Sequence, residues 1–322
     1  MTLRAADPDT GVARAQRHGE FAGAAPVSGS AARERASAEA ADARAWGGGT
    51  VRGMSVARGT IPGMTSIDEA LLLETAAEHG VPGPVVRELL ARCRPCLYLV
   101  QDKEVPESLR EHVRPAARTG GLPALPDGVD WPEGREPLVL SVDCAALPHD
   151  VLDIELPTDG HLLVFTEISY PPESSAVVHV PAGVRTTERP ATYEFSGETW
   201  ETKVYEPRTL YPVPGLSIEQ DGEGGPHTGA FLDGDGDEDA LDAFEEAVLD
   251  LAFGGRRPGA CVQLGGFSDP WDMAPDEGDL VLFAQLAGQA VDYTVCTMNL
   301  IVGTREDIAA GRYAELQYDQ QT

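Results

Sequence analysis

Positive charge is scarce in this chain. It carries 24 Lys+Arg against 53 Asp+Glu, a formal net charge of −29 over 322 residues. Eight of the basic and six of the acidic residues fall in 1–63, so residues 64–322 hold 16 basic and 47 acidic side chains, net −31. A field of that sign repels nucleic acid and anionic membrane surfaces and draws cationic partners inward. It also keeps crowded proteins apart, so solubility is the plainer reading and a basic protein partner the sharper one. Long apolar runs are missing as well. No window approaches the roughly 18 uncharged apolar residues of a membrane span, and the N-terminus lacks a secretory h-region. Cysteine is sparse: Cys93, Cys96, Cys144, Cys261 and Cys296. An odd count without a leader points to a reducing cytoplasm.

Reaction motifs are missing too. There is no Gly-x-Ser-x-Gly elbow, phosphate loop or dinucleotide fingerprint, so no cofactor is expected. What is present is a pattern of short elements. Residues 1–63 are rich in Ala, Arg and Gly and poor in aliphatics, and read as a disordered leader ahead of one domain over 64–322. Ser66 and Glu69 form a capping box for a helix that Gly80 ends, and Pro84 suits the first turn of a second helix. Pro95 forbids its continuation, so a strand is expected over 96–100. Further strands are expected over 138–143, 161–169, 176–180, 261–264, 280–286, 294–302 and 312–318. Residues 190–220 read as exposed hairpin strands and a long loop, and 221–239 as a Gly/Asp loop. Leu241, Phe244, Val248 and Leu251 share a face of a helix over 240–253 capped by Gly254, and Thr304 with Asp307 starts a short last helix. The expected fold is α+β, mainly antiparallel sheet with peripheral helices.

An internal echo suggests two related halves. Residues 157–165, from Pro157 through Gly160 to Phe165, match 275–283, from Pro275 through Gly278 to Phe283, and a Gly-Gly pair precedes each: Gly120-Gly121 and Gly265-Gly266. The Gly120-Gly121-x-Pro-x-Leu-Pro run, Trp131-Pro132, the Pro137-to-Asp143 segment, Leu147-Pro148 and Pro157-x-Asp159-Gly160 resemble the YwqG-like family, a bacterial domain of unknown function. So do Gln263 to Phe267, Leu280 to Leu286 and Met298 to Ile308. The resemblance covers roughly residues 90–318. It implies an α+β antiparallel fold and no established activity; some relatives lie near toxin genes, which resembles the setting of immunity proteins. This chain departs from the pattern at Leu140-Ser141-Val142-Asp143, where a Gln usually precedes the acidic residue. It also lacks a Trp-Gly-Asp turn before Thr297-Met298.

Four constellations are candidates for chemistry. Cys93-Arg94-Pro95-Cys96 has redox spacing, but it follows a helix instead of starting one, so nothing lowers a thiol pKa, and zinc would need two more ligands. Asp233, Asp235 and Asp237 resemble the start of a calcium loop, yet the positions that need Gly and Glu hold Glu238 and Phe244. An acidic approach to a helix N-terminus is the plainer reading. His161 and His179 sit in adjacent expected strands and fit surface or core filling better than a ligand pair. Gly120, Gly121, Trp131 and Asp143 in the first half, with Gly265, Gly266, Trp271 and Asp272 in the second, compose a ligand-binding region if the glycines let a ligand approach the backbone. Otherwise they are tight turns under a Trp lid. The expected function is a non-catalytic cytoplasmic binding protein for a basic partner, immunity-like or regulatory. The alternative is a small-ligand binder or enzyme using the Gly-Gly/Trp/Asp region.

Overall fold

The computed structural model describes residues 69–220, 224–234 and 236–322. The expected leader at 1–63, Ser66 and Asp235 lie outside them. Two helices open the described chain, α1 (Glu69–Glu78) and α2 (Gly83–Ala91), the latter with proline in its first turn as expected. A ten-stranded sheet then dominates, in the order β14-β13-β12-β11-β1-β10-β2-β4-β5-β6. Its left five are β14 (Gln317–Gln321), β13 (Met298–Thr304), β12 (Leu280–Ala287), β11 (Val262–Leu264) and β1 (Cys93–Val100). Its right five are β10 (Arg208–Ile218), β2 (Ala117–Thr119), β4 (Leu138–Asp143), β5 (His161–Phe165) and β6 (Ala176–Val180). Every neighbouring pair is antiparallel. Two small pairs stand apart: β3 (Ala124–Pro126) with β7 (Thr186–Glu188), and β8 (Thr192–Phe195) with β9 (Glu198–Glu201).

This order is a palindrome about the β1–β10 seam, and the two halves repeat in detail. β2 leads into Gly120-Gly121 and β11 into Gly265-Gly266, and all four glycines have positive φ, between 63 and 82°. Gly120 N–H donates to Val139 O, and Gly265 N–H to Phe283 O. Val139 and Phe283 sit where the register of β4 and of β12 with its outer neighbour shifts. The residue two before each pair also acts alike: Arg118 donates to Leu122 O and Gln263 to Phe267 O. The halves are therefore related, but not through the sequence echo. That echo aligns β5 with β12, whereas the sheet places β4 opposite β12 and β5 opposite β13. A glycine turn before an apolar strand is common enough to recur at non-equivalent positions.

Strand alternation builds the core. Leu97 and Leu99 of β1 join Leu140, Val142, Leu162, Val164, Leu264, Phe283, Leu286 and Ile301 in one cluster that spans both halves. Cys96, Tyr98 and Val100 point the other way, against Phe253. Strands so far apart in the sheet share one cluster because the sheet curls. Residues beside its two edges meet: Thr297 Oγ1 donates to Ile168 O (2.7 Å), and Gln320 of β14 donates to Glu167 O (3.0 Å). α1, α2 and α4 (Glu238–Phe253) cover Cys93, Leu216 and Ile218 in a separate cluster. Leu241, Phe244 and Val248 are buried as expected, and Gly254 (φ 84°) caps α4, while Leu249 is buried in preference to Leu251.

Four expectations are corrected. β1 begins at Cys93, three residues before the expected start, with Pro95 inside it. Residues 208–218 are a central strand, although they read as part of a loop. Glu219 N–H donates to Arg92 O, which fixes the alternation along the β1–β10 register. Pro95, Pro212 and Pro214 all fall at positions whose amides would point away from that seam. There β11 reaches only Leu97–Leu99 and β2 only Arg208–Leu210, so the missing donors cost nothing. The expected 221–239 loop contains α3 (Pro226–Leu232). The Glu88 carboxylate of α2 caps it from outside, accepting from His227 N, Thr228 N and Thr228 Oγ1 at 2.8–3.0 Å. Two short helices, α5 (Gly288–Val291) and α6 (Arg305–Ala309), complete the fold; Thr304 caps α6 by accepting from Asp307 N. The last expected strand starts later, at Gln317, after a helical turn over Tyr313–Glu315.

Candidate functional site

The two Gly-Gly turns are buried and filled by protein. A Cβ on Gly120 would lie 2.6 Å from Tyr205 O, and one on Gly265 2.6 Å from Asp153 Oδ1. Gly121 N–H donates to Tyr205 O and Gly266 N–H to Asp153 Oδ1. The close approach that glycine permits here is chain against chain. Trp131 is buried beside Phe165, Leu125 and Leu138, its indole donating to Glu136 O (2.8 Å). Asp143 caps a helical turn, accepting from Ala145 N. Trp271 and Asp272 are exposed along an open shelf of about 630 Å³ beside the C-terminal residues 319–322. The structure thus separates the predicted ligand set: Trp131 fills core in one half, and Trp271 lines a surface recess in the other.

A different cluster carries the unusual chemistry. It sits in a cavity of about 460 Å³ lined by residues of the 134–137, 167–173 and 193–203 segments. Glu136 and Glu167 are 8% and 2% exposed, an environment a carboxylate enters only with compensation. Glu167 follows β5 where the sheet edges meet. Its Oε1 accepts from Ile168 N (2.9 Å), Ser169 N (2.7 Å) and Tyr205 Oη (2.9 Å). Glu136 follows a tight turn in which Gly134 and Arg135 both have positive φ (83° and 53°). Its Oε1 accepts from Glu173 N (3.0 Å) and Ser174 N (3.2 Å), stitching the 131–137 turn to the 169–175 loop. A non-glycine residue in the left-handed region is strained, and such strain gathers at functional sites. Arg135 is held there by stacking on Tyr193 (4.0 Å) and by donating to Thr202 Oγ1 and Pro190 O.

Charge in this cavity is unbalanced. Glu136, Glu167, Glu173 and Glu201 line it, and among the described residues none of them has an ion-pair partner. Its two cations are engaged elsewhere: Arg135 as above, and Lys203 over the Tyr205 ring (4.3 Å) and toward Ser169 Oγ. Burial pushes the Glu136 carboxyl up, and the neighbouring Glu167 and Glu173 add to this against the two amide donors. Tyr170, exposed at the rim, is pushed up first by Glu167 and then by burial. Tyr205 is pushed up by burial, with Glu167 adding to it. Each Oε1 is satisfied, while each Oε2 accepts no hydrogen bond within the described residues and is not sealed from the cavity. The arrangement can accept hydrogen bonds from an ammonium or guanidinium group, or hold a proton on Glu136. Sequence reading missed both glutamates. The available signals were Glu167 just past the apolar 162–165 run, ahead of Ile168, and Glu136 close to Trp131-Pro132.

The other candidates resolve simply. Cys93 and Cys96 lie within β1, and burial raises both thiols to about 12, so neither is a ready thiolate. Asp233 ends α3, while Asp237 caps α4 by accepting from Asp239 N (3.1 Å). Among the described residues no group of three or more His, Cys, Asp or Glu is placed to hold a metal ion. His161 and His179 lie at neighbouring positions of β5 and β6, and His179 is hydrogen-bonded to Asp159 O (3.1 Å). No described helix is long and apolar enough to cross a membrane.

Against this geometry stand the comparisons with known proteins. No family model matches the chain, and no curated protein matches it.

Proposed function

We propose that this is a non-catalytic cytoplasmic protein that binds a basic protein partner, and that the Glu136/Glu167 cavity receives one of the partner's cationic side chains. The observation that carries the reading is the pair of buried carboxylates, each with one oxygen left open and neither neutralised by an ion pair among the described residues. The net charge of −31 on residues 64–322 adds long-range attraction for such a partner. An immunity or regulatory role is the biological setting this implies. The YwqG-like assignment rests on the motif residues alone.

Binding of an oligoarginine peptide to the full chain, followed by fluorescence anisotropy as salt is raised, tests this. Glu136→Gln with Glu167→Gln is expected to weaken binding about tenfold, because hydrogen-bonded, partly desolvated charge pairs outweigh screened surface ones. Glu78→Gln with Asp242→Asn removes the same charge from exposed helix positions and is expected to cost less than about twofold. Equal losses from the two double variants would reduce the cavity to one part of a diffuse acidic surface and refute its role.

The alternative is a small cationic ligand in the same cavity. Its volume of about 460 Å³ favours this reading, since it exceeds what one side-chain terminus fills. Binding of agmatine as tightly as the peptide would select it.

A further inference from the structure

Cations are few in this molecule, yet several converge on one recess in the other half. A basin of about 600 Å³ is lined by Lys103, Arg256 and Arg257 together with Gln289 and Tyr293. It continues past Arg257 into a more enclosed chamber of about 100 Å³ bordered by Tyr98, Gln263 and Gln285. Arg257 is fixed at the junction: its guanidinium donates to Tyr98 Oη (3.2 Å) and Glu246 (3.3 Å), and its side chain is only 15% exposed. Those two bonds leave further guanidinium N–H groups for another acceptor. Arg256 is exposed and has no partner among the described residues. Three acids border the recess: Asp269 lies by the inner chamber near Arg257, and the two at the basin are occupied. Glu246 pairs with Arg257, and Glu104 accepts from Gln101 N and lies 3.9 Å from Lys103.

Tyr293 supplies the second half of the argument. Arg208 stacks on one face of its ring at 3.8 Å, and that guanidinium is itself anchored on Gln289 O and Ala290 O. The phenol donates to Gln101 Oε1 (3.2 Å). The ring is held from behind and at its tip while the residue stays 61% exposed, so its other face looks outward. A fixed, exposed aromatic face beside a cluster of cations, Arg256 among them without a partner in the described residues, suits a planar group that carries an anion.

We propose that this recess binds a nucleoside monophosphate or a close analogue: the phosphate meets Arg256, Arg257 and Lys103, and the base stacks on Tyr293. The proposal is independent of the carboxylate cavity. It is compatible with the repulsion of polyanions, because a mononucleotide brings little charge and meets three cations at contact.

Calorimetry of the full chain with AMP, adenosine and inorganic phosphate as separate titrants tests it. AMP is expected to bind at least about tenfold more tightly than either fragment. Arg256→Ala with Lys103→Ala is expected to lower AMP affinity about tenfold and leave the melting temperature unchanged, because both side chains are exposed. Tyr293→Ala should weaken AMP and adenosine alike and leave phosphate untouched. Absence of AMP binding, or an AMP affinity indifferent to the Arg256/Lys103 substitution, overturns the site. Phosphate binding as tight as AMP overturns the nucleotide assignment.

Discussion

The two halves of the sheet share one device and finish it with different chemistry. Each has a short strand, a Gly-Gly turn with positive φ, and a bulged neighbour that accepts the first glycine's N–H. In the second half, three glutamines and the Asp276 carboxylate, which accepts from Ser268 N and Oγ, hold the loop that follows. Gln263 donates to Gly265 O and Phe267 O, Gln285 accepts from Asp269 N, and Gln321 accepts from Trp271 N and Asp272 N while donating to Met273 O. In the first half Arg118 makes one such bond, and the carboxylate of Glu136 ties the remaining loops together. An amide both donates and accepts, so it can close a network on itself. A carboxylate only accepts, so it keeps lone pairs that ask for a donor. The loop after Gly265-Gly266 is therefore largely closed on itself, while Glu136 and Glu167 keep lone pairs open.

The largest expected effect breaks the shared device. Gly120→Ala forces positive φ on a residue with a Cβ and drives it against Tyr205 O, a backbone atom. A loss of roughly 2–4 kcal/mol is expected in chemical denaturation. Gly265→Ala carries the same φ penalty but meets Asp153 Oδ1, the end of a side chain and not a backbone atom, so it should cost less. The reverse ranking would mean that the halves are not held by equivalent turns.

Next comes the amide network itself. Gln263→Leu leaves two carbonyls without their side-chain donor in a site only 2% exposed, and about 1–3 kcal/mol is expected. Arg118→Leu, half-buried with one such bond, should cost under about 1 kcal/mol. Urea midpoints at unchanged m-value check both.

Smaller effects follow pH. The Glu136 pKa is raised in the folded state, so ionising it opposes folding as pH rises through that value, while cation binding grows over the same range. Oligoarginine affinity measured against pH should therefore climb from a point above the ordinary carboxylate range, and Glu136→Gln should flatten that climb. Glu88 moves the other way. Burial acts upward on its carboxyl, but the hydrogen bonds from His227 and Thr228 prevail and bring it to about 2. The cap on α3 should therefore persist above the ordinary value of 4.5 and fade as pH falls from there toward 2, seen as faster amide exchange over 226–232.

Much of the fold was legible because its elements follow local rules. The Gly254 and Thr304 caps, the prolines opening α2 and the apolar stripe of α4 each depend on near neighbours. β10 was not legible, because Pro212 and Pro214 are tolerated only by the sheet's own missing neighbours, and a sequence does not display those. α3 was hidden because its cap, Glu88, lies on another helix. The acidic character was plain from composition, but the carboxylate cavity was not. Glu136 lies between the Trp131-Pro132 and Pro137-to-Asp143 motifs and Glu167 just past β5, but they become a pair only when the 131–137 turn, the 169–175 loop and the closing edges of the sheet converge.

The seam at the centre of the palindrome bears on how the polypeptide is made. β1 leaves the ribosome early, yet its mate β10 is encoded more than a hundred residues later and β11 later still. Until then Leu97, Tyr98 and Leu99, each no more than 1% exposed in the finished protein, have no sheet to enter. Synthesis thus passes through an interval in which a strand buried in the finished protein is unsheltered, and its pairing is a contact of long sequence separation.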